Sequence, residues 1–490
     1  MSNLFLTGNF APATREETIT TLSVTGRIPD HLDGRYLRIG PNPVMEVDPD
    51  TYNWFSLYGD GMVHGVRLRD GKAEWYRNRW VRTPDVARAL GERPSRPNHR
   101  AGNHMIAANT NVIGHAGRTL ALIEGGTAGY ELGEELETLG ECDFDGTLTG
   151  GYTGHPKRDP VTGELHAVSY RNLGRDVAQY SVIGVDGRVR GTVDFDVPGK
   201  PVLHDIALTE NYVLFFDVPL VFDRPAAVSM VVPDWMPRSA QLVLSSLLGK
   251  VSMPESVAGR LMSRDRVGAT NDYPFTWDAS HPSRIGVLPR DGVDAGVRWF
   301  DIEPCYVFHT LNAYEENGSI VCDAVRLQGY DGDAKYDIRD AFDSASPTLH
   351  RWVVDLASGK VRESGIDDQV QEFPGVDPRL LGRRHRYGYT TAGTVNLDPT
   401  REQDAILRHD MEQNRTTTHS LPRHHRAGEF SFVPTSVDGA ENDGVLMGFV
   451  YDETTGLSNL TLLDAATMEP MATVRLPARV PFGFHGNWVS

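Results

Sequence analysis

The sequence predicts an all-β protein, a β-propeller closed from many short antiparallel strands. Three observations carry that prediction. First, short runs rich in β-branched and aromatic residues recur along the chain: YLRIG (36–40), MVHGVRLRDG (62–71), TLALIEGG (119–126), NYVLFFDV (211–218), SIVCDAVRL (319–327), HRWVVDLASG (350–359) and GVLMGFVYD (444–452). Gly, Asp, Asn or Pro bounds most of them, as strand ends require. Second, the pairs Asp70-Gly71, Asp186-Gly187, Asn317-Gly318, Asp331-Gly332 and Asp443-Gly444 suit two-residue hairpin loops, whose central residues need positive φ. Third, no composition break divides the 490 residues. One closed architecture over 1–490 is therefore expected, and seven blades of about 70 residues would use the whole chain. No literal repeat fixes the blade count.

Composition narrows the function. Hydrophobic residues make up 40%, enough for a large core. A length prior of about 150 residues per domain would give about three domains, but all-β folds often break it. The 48 Lys+Arg against 66 Asp+Glu leave a net charge of −18, which argues against a nucleic-acid surface. Cys142, Cys305 and Cys322 cannot pair completely and show no C-x-x-C spacing, which fits a reducing cytoplasm. The start, MSNLFLTGNFAPATREE, has neither a basic nor an apolar signal region. No run reaches the roughly 18 apolar residues of a membrane span. A cytoplasmic protein is expected, at most peripheral on a membrane, with no obligate protein partner evident.

Three segments depart from the strand pattern. Residues 219–262 cluster Leu242, Val243, Leu244, Leu247, Leu248 and Val251 at mixed helical spacings. Two readings stand: a small, partly helical cap over the propeller, or an apolar patch with Trp235 and Met236 that dips into a membrane surface. Residues 85–95, DVARALGERPS, read as a short helix. The polar stretch 401–429, with His424 and His425 adjacent, reads as a solvated connection, since neighbouring side chains on an extended chain point to opposite faces.

Four of the 17 histidines stand in apolar or Gly/Pro settings beside strands: His155 in GYTGHPKRD, His204 in PVLHDIAL, His309 in YVFHTLN and His485 in PFGFHGNW. They are too far apart for a local metal motif such as H-E-x-x-H. Different blades could each aim one imidazole at a central axis, and neutral imidazole suits iron, zinc, copper or nickel.

At these residues the chain resembles the carotenoid cleavage oxygenases, a family that includes apocarotenoid- and stilbene-cleaving enzymes. The resemblance runs from GRIPDHLDGRYLRIGPNP to PFGFHGNWV. Between them come YGDGMVHGVRL, RNRWVRT, NTNVIGHAGRTLALIEGG, GHPKRDPVTGEL, HDIALTENYVLFFD, SRIGVLPR, FHTLNAYEENG, QEFPGVDPRLLGRRHRYGY and GEFSFVP…ENDGVLMGFVYD, in order. It implies a seven-bladed propeller holding one non-haem Fe(II) through His155, His204, His309 and His485, with dioxygen as co-substrate. It also implies that Glu124, Glu372 and Glu429 bond the ligand rings, and that Thr110 crowds one open coordination position. Three carboxylates would offset the charge of a dication held by four neutral rings and fix their tautomers. No acid–base residue is expected beyond the iron centre.

The implied reaction cleaves one C=C bond of a lipophilic polyene, giving two carbonyl products. A polyene offers no hydrogen bonds, so its tunnel should be apolar. Phe308 and Phe484 stand next to histidines of the set; Tyr306, Val202, Phe275 and Trp277 are further candidates. Relatives that cleave hydroxystilbenes usually carry a lysine just before the first of the three glutamates, where this chain has Ile123. A carotenoid or apocarotenoid is therefore the expected substrate. A stilbene-cleaving enzyme on the same iron site is the alternative, and a non-enzymatic propeller scaffold the second.

Overall fold

The computed structural model describes residues 3–50, 52–54, 59–95, 108–125, 128–170, 176–225, 275–291, 296–328, 346–393 and 404–490, with isolated positions between 228 and 245. They form the seven antiparallel sheets of a seven-bladed β-propeller, one further two-stranded sheet, and almost no helix.

Each blade opens on an inner strand. Blade 2 begins with Asn111–His115, blade 3 with Lys157–Arg158 and blade 4 with Ile206–Leu208; blade 5 begins with Cys305–Glu316, blade 6 with Gln371–Val376 and blade 7 with Ser431–Pro434. Blade 1 is built differently. Gly34–Pro41, Gly61–Arg69 and Lys72–Trp80 come from the start of the chain, and its inner strand, Gly486–Val489, comes from the end. The register pairs Tyr36 with Trp488 and Arg38 with Gly486. Reciprocally, Ser23–Gly26 adds an outer strand to blade 7 against Pro470–Arg475. Both chain ends thus cross the same closure, which leaves neither blade with an unfinished edge there.

The core lies between blades as well as within them. Aromatic pairs bridge neighbours: Phe195 on Phe215 at 4.9 Å (blades 3 and 4), Phe216 on Trp352 at 5.3 Å (4 and 5), Tyr389 on Phe432 at 5.6 Å (6 and 7) and Tyr36 on Phe449 at 5.1 Å (1 and 7). Such pairs add to the burial of large apolar area.

Two turn pairs read from the sequence, Asp70-Gly71 and Asn317-Gly318, carry positive φ at both residues. Asp443-Gly444 does not: Gly444 already belongs to the strand Gly444–Asp452. Asp331-Gly332 lies outside the described residues. The short helix is present as Pro84–Ala89, capped by the Thr83 side chain.

The solvated connection is a correction. Residues 401–429 contain Ala405–Asp410 and Arg415–Ser420, the two outer strands of blade 6, and His409 is buried there. Its polar outer face masked a strand pair. The segment 219–262 is corrected at its start, where Leu220–Phe222 is not helical but pairs with Phe275–Trp277 as a two-stranded ribbon. Trp235, Met236, Leu247 and most of the expected cap lie outside the described residues. Among the described residues no helix is long and apolar enough to cross a membrane.

Candidate metal centre

His155, His204 and His485 sit one or two residues ahead of the inner strands of blades 3, 4 and 1. His309 lies within the long inner strand of blade 5, where the register with its neighbour shifts between Val307 and Thr310. A bulge of this kind re-aims a side chain. The structure brings all four imidazoles together, each offering one nitrogen, with these atoms within 4.8 Å of one another. His155 and His485 are buried; His204 and His309 are partly so.

The three glutamates come from the blades that supply no histidine. Glu124 follows the second strand of blade 2, Glu372 lies in the inner strand of blade 6, and Glu429 precedes that of blade 7. His309 Nδ1 is 2.6 Å from Glu372 Oε2. His204 Nδ1 is 3.2 Å from Glu124 Oε2, and His485 Nδ1 is 3.3 Å from Glu429 Oε1. Backbone amides help to hold two of these carboxylates: Phe373 N donates to Glu372, and Gly486 N donates to Glu429 Oε2 at 2.7 Å.

A carboxylate at Nδ1 retains the proton there and leaves Nε2 as a bare lone pair. His204 Nε2 and His309 Nε2 face each other at 3.3 Å. At that separation the two nitrogens can share a proton or take a cation between them. His155 Nε2 lies 3.4 Å from Glu124 Oε2, the same oxygen that faces His204 Nδ1. Bare imidazole nitrogens converging inside a carboxylate shell fit a divalent transition metal.

The electrostatics agree with that fit. Burial drives His155 and His309 well below the ordinary imidazole value, so both stay neutral. In His204 burial is outweighed by Glu124, and the ring is raised. Burial would lift the Glu124 carboxyl, but His204 and His155 hold it well below the carboxylate range. Glu429, also lifted by burial, is brought down by His485. Glu372 is pushed up to about 8, chiefly by burial, with only protein charges around it. A dication among the rings would favour its ionised form.

Thr110 closes blade 2 onto the site. Its hydroxyl donates to Asn109 Oδ1 and accepts from Glu124 N, both at 3.1 Å, and its carbonyl accepts from His485 N. Its methyl carbon Cγ2 lies against Gly154, just ahead of His155.

Of the predicted tunnel residues, Phe308 has its ring 5.1 Å from the His204 ring and 4.5 Å from Tyr306. Phe484 packs at 4.6 Å on Trp54. Val202, bonded to Leu220 O, adjoins the ribbon that carries Phe275 and Trp277. A cavity of about 570 Å³ reaches His155, His309 and His485 and runs beside inner-strand residues such as Asn111, Thr310 and Val433. None of the six tunnel candidates lines it.

Three residues were missed. Tyr170 Oη donates to Glu124 Oε1 at 2.5 Å. Phe373 stacks on His309 at 5.7 Å and meets His485 edge-on at 5.5 Å. Asp205 is buried beside His204. A lone acid in the apolar run LHDIAL was a signal for the last; Tyr170 gave none.

Comparison with known proteins points the same way. The family model described as retinal pigment epithelial membrane protein matches residues 10–490. The chain is 50% identical over 500 residues to a carotenoid cleavage oxygenase of Mycobacterium tuberculosis, covering 99% of this chain and 97% of the relative. Among solved structures, the lignostilbene dioxygenase of Pseudomonas brassicacearum superposes with a TM-score of 0.79 at 26% identity, covering 99% and 98% of the two chains. Cobalt-substituted Synechocystis ACO, an apocarotenoid oxygenase, superposes at 0.76 with 25% identity, covering 98% and 97%.

Proposed function

Because the chain belongs to the carotenoid cleavage oxygenase family, we propose that it is an Fe(II)-dependent dioxygenase that cleaves one C=C bond of a carotenoid or apocarotenoid. The observation that carries the metal assignment is the convergence of the four imidazoles, whose nitrogens lie within 4.8 Å of one another. His155, His204, His309 and His485 would hold the ion, and Glu124, Glu372 and Glu429 would orient their rings. When bound, iron supplies the electrons that let triplet dioxygen react with a closed-shell alkene.

The remaining work falls to the chain. Imidazoles backed by carboxylates keep the centre from carrying an uncompensated charge in a buried site. Phe308 against His204 presents an apolar aromatic face where a polyene would have to approach. Phe373, stacked on His309, does the same on the blade 6 side. Thr110, held by its hydroxyl bonds, keeps its methyl fixed against the loop that carries His155 and would restrict one side of the ion.

Ile123, buried beside Glu124, offers no partner for a phenol, which favours a hydrocarbon polyene. The stilbene reading is kept alive by the likeness to a lignostilbene dioxygenase. Anaerobic loading with Fe(II), then incubation with apocarotenals, carotenes and resveratrol under labelled O2, separates the readings. Two carbonyl products from a carotenoid or apocarotenoid, each bearing label, are expected. Cleavage of resveratrol alone would overturn the substrate class. No cleavage, with no iron retained, would leave the scaffold reading.

A further inference from the structure

Asp205 follows His204 in the chain, yet it bonds to residues that follow two other histidines of the site. Its Oδ2 accepts from Lys157 Nζ, from Thr310 N and from Thr310 Oγ1, each at 2.9 Å. Its Oδ1 accepts from Ile206 N at 2.8 Å. Lys157 lies two residues after His155, and Thr310 one after His309. One carboxylate therefore ties the inner strands of blades 3, 4 and 5 beside three of the four imidazoles.

The group is 4% exposed. A buried carboxylate is tolerated only when paired and fully bonded, and four donors meet that demand here. Burial acts to raise its pKa, but Lys157 and the other neighbours bring it down to about 2. Lys157 also cancels its charge, so the pair adds nothing net to the electrostatics of a cation at the rings. What remains for Asp205 is geometry.

We propose that Asp205 is a positioning residue of the metal centre: through Lys157 and Thr310 it holds blades 3, 4 and 5 at the spacing at which His155, His204 and His309 share one ion. The proposal rests on reading the four histidines as a metal site. Groups that orient metal ligands typically change metal affinity about 10–100-fold when altered.

The test is Co(II) titration of the purified full-length protein, read by the visible absorption of the bound ion, which reports coordination geometry. Thermal midpoints of the metal-free proteins are measured alongside. Wild-type protein must bind one Co(II); if it does not, the metal reading itself fails. Given that binding, Asp205→Asn is expected to weaken affinity about 10–100-fold and to alter the spectrum. Lys157→Met is expected to weaken it about tenfold, although it leaves one more negative charge near the ion. Tighter binding in Lys157→Met would make Asp205 an electrostatic group and overturn the proposal. Wild-type affinity and spectrum in Asp205→Asn, with or without a lower thermal midpoint, would also overturn it. Should Asp205→Asn fail to fold, Thr310→Val decides by the same criteria, because it removes one hydroxyl and keeps the carboxylate–lysine pair.

Discussion

Glu124 serves two rings at once, which makes the residues around it the most sensitive place in the site. One oxygen lies 3.2 Å from His204 and 3.4 Å from His155, and the other accepts from Tyr170. Without that phenol the carboxylate could rotate and present either oxygen. Tyr170→Phe should therefore weaken Fe(II) or Co(II) binding about tenfold and leave the fold intact, as a metal titration beside a circular dichroism spectrum would show. Unchanged affinity would reduce Tyr170 to a packing residue. Gly154 makes a second residue-scale case. A Cβ there would lie 2.7 Å from Thr110 Cγ2 and 3.4 Å from Glu124 N. Thr110 cannot turn aside without breaking its hydroxyl bonds. Gly154→Ala should cost about 1–3 kcal/mol of stability through overpacking and lower metal occupancy. Adding Thr110→Ser, which deletes the obstructing methyl, should restore occupancy; failure to restore it would mean that the two residues do not compete for that space. Sequence patterns reached the four histidines and three glutamates because each sits in a distinctive motif. Tyr170 and Asp205 act through contacts between blades, and such contacts leave no local spacing to read.

At the scale of elements, many strands were legible, and so were the hairpin turns Asp70-Gly71 and Asn317-Gly318, but Asp186 and the pair Asp443-Gly444 lack the expected positive φ, and the strand irregularities left no signal. His309 and Glu372 both lie in inner strands whose pairing slips beside them, between Val307 and Thr310 and between Glu372 and Gly375. Phe373, next to Glu372, takes a φ of 52°, an uncommon conformation for a bulky residue. The alternation of strand side chains predicts a face for each residue only while the register holds. The two bulges break it where the site needs a side chain turned inward. The blade 6 hairpin within 401–429 was missed for the opposite reason: its outer strand, Arg415–Ser420, is polar and largely exposed, so nothing apolar marked it. The turn Ala116-Gly117 was missed because alanine is a poor left-handed residue, yet Ala116 has φ 50° there. Its strain is removable. Ala116→Gly should stabilise the protein by about 1 kcal/mol, seen as a small rise in the unfolding midpoint. A fall would show that the loss of backbone restriction in the unfolded chain outweighs the relief.

For the whole molecule, a ring of seven blades is only as stable as its joints, and several joints hold buried histidines that do not belong to the four-histidine group. His166 of blade 3 bonds Tyr180 at 2.6 Å and lies 3.0 Å from Arg290, which follows a blade 4 strand. His385, ahead of a blade 6 strand, lies 3.1 Å from Asn312 of blade 5, with Asp323 and Arg351 nearby. Burial, more than any neighbour, lowers both imidazoles from 6.5 to about 4. Because the folded pKa lies below the unfolded one, the unfolded chain takes up protons first as pH falls. Stability is then full above pH 6.5 and is lost between pH 6.5 and about 4, by up to about 3 kcal/mol for each histidine. Carboxylates such as Asp205 and Asp452, held at about 2, lose their share only below the ordinary carboxylate range, so the two effects separate in pH. Guanidinium unfolding of metal-free protein from pH 7.5 to 4.5 should show the midpoint falling through this window. His385→Gln, which cannot titrate, should start from a lower midpoint and fall less steeply. Equal slopes in the two proteins would mean that His385 is reached by water and protonated in the folded ring, and that its joint opens without the blades coming apart.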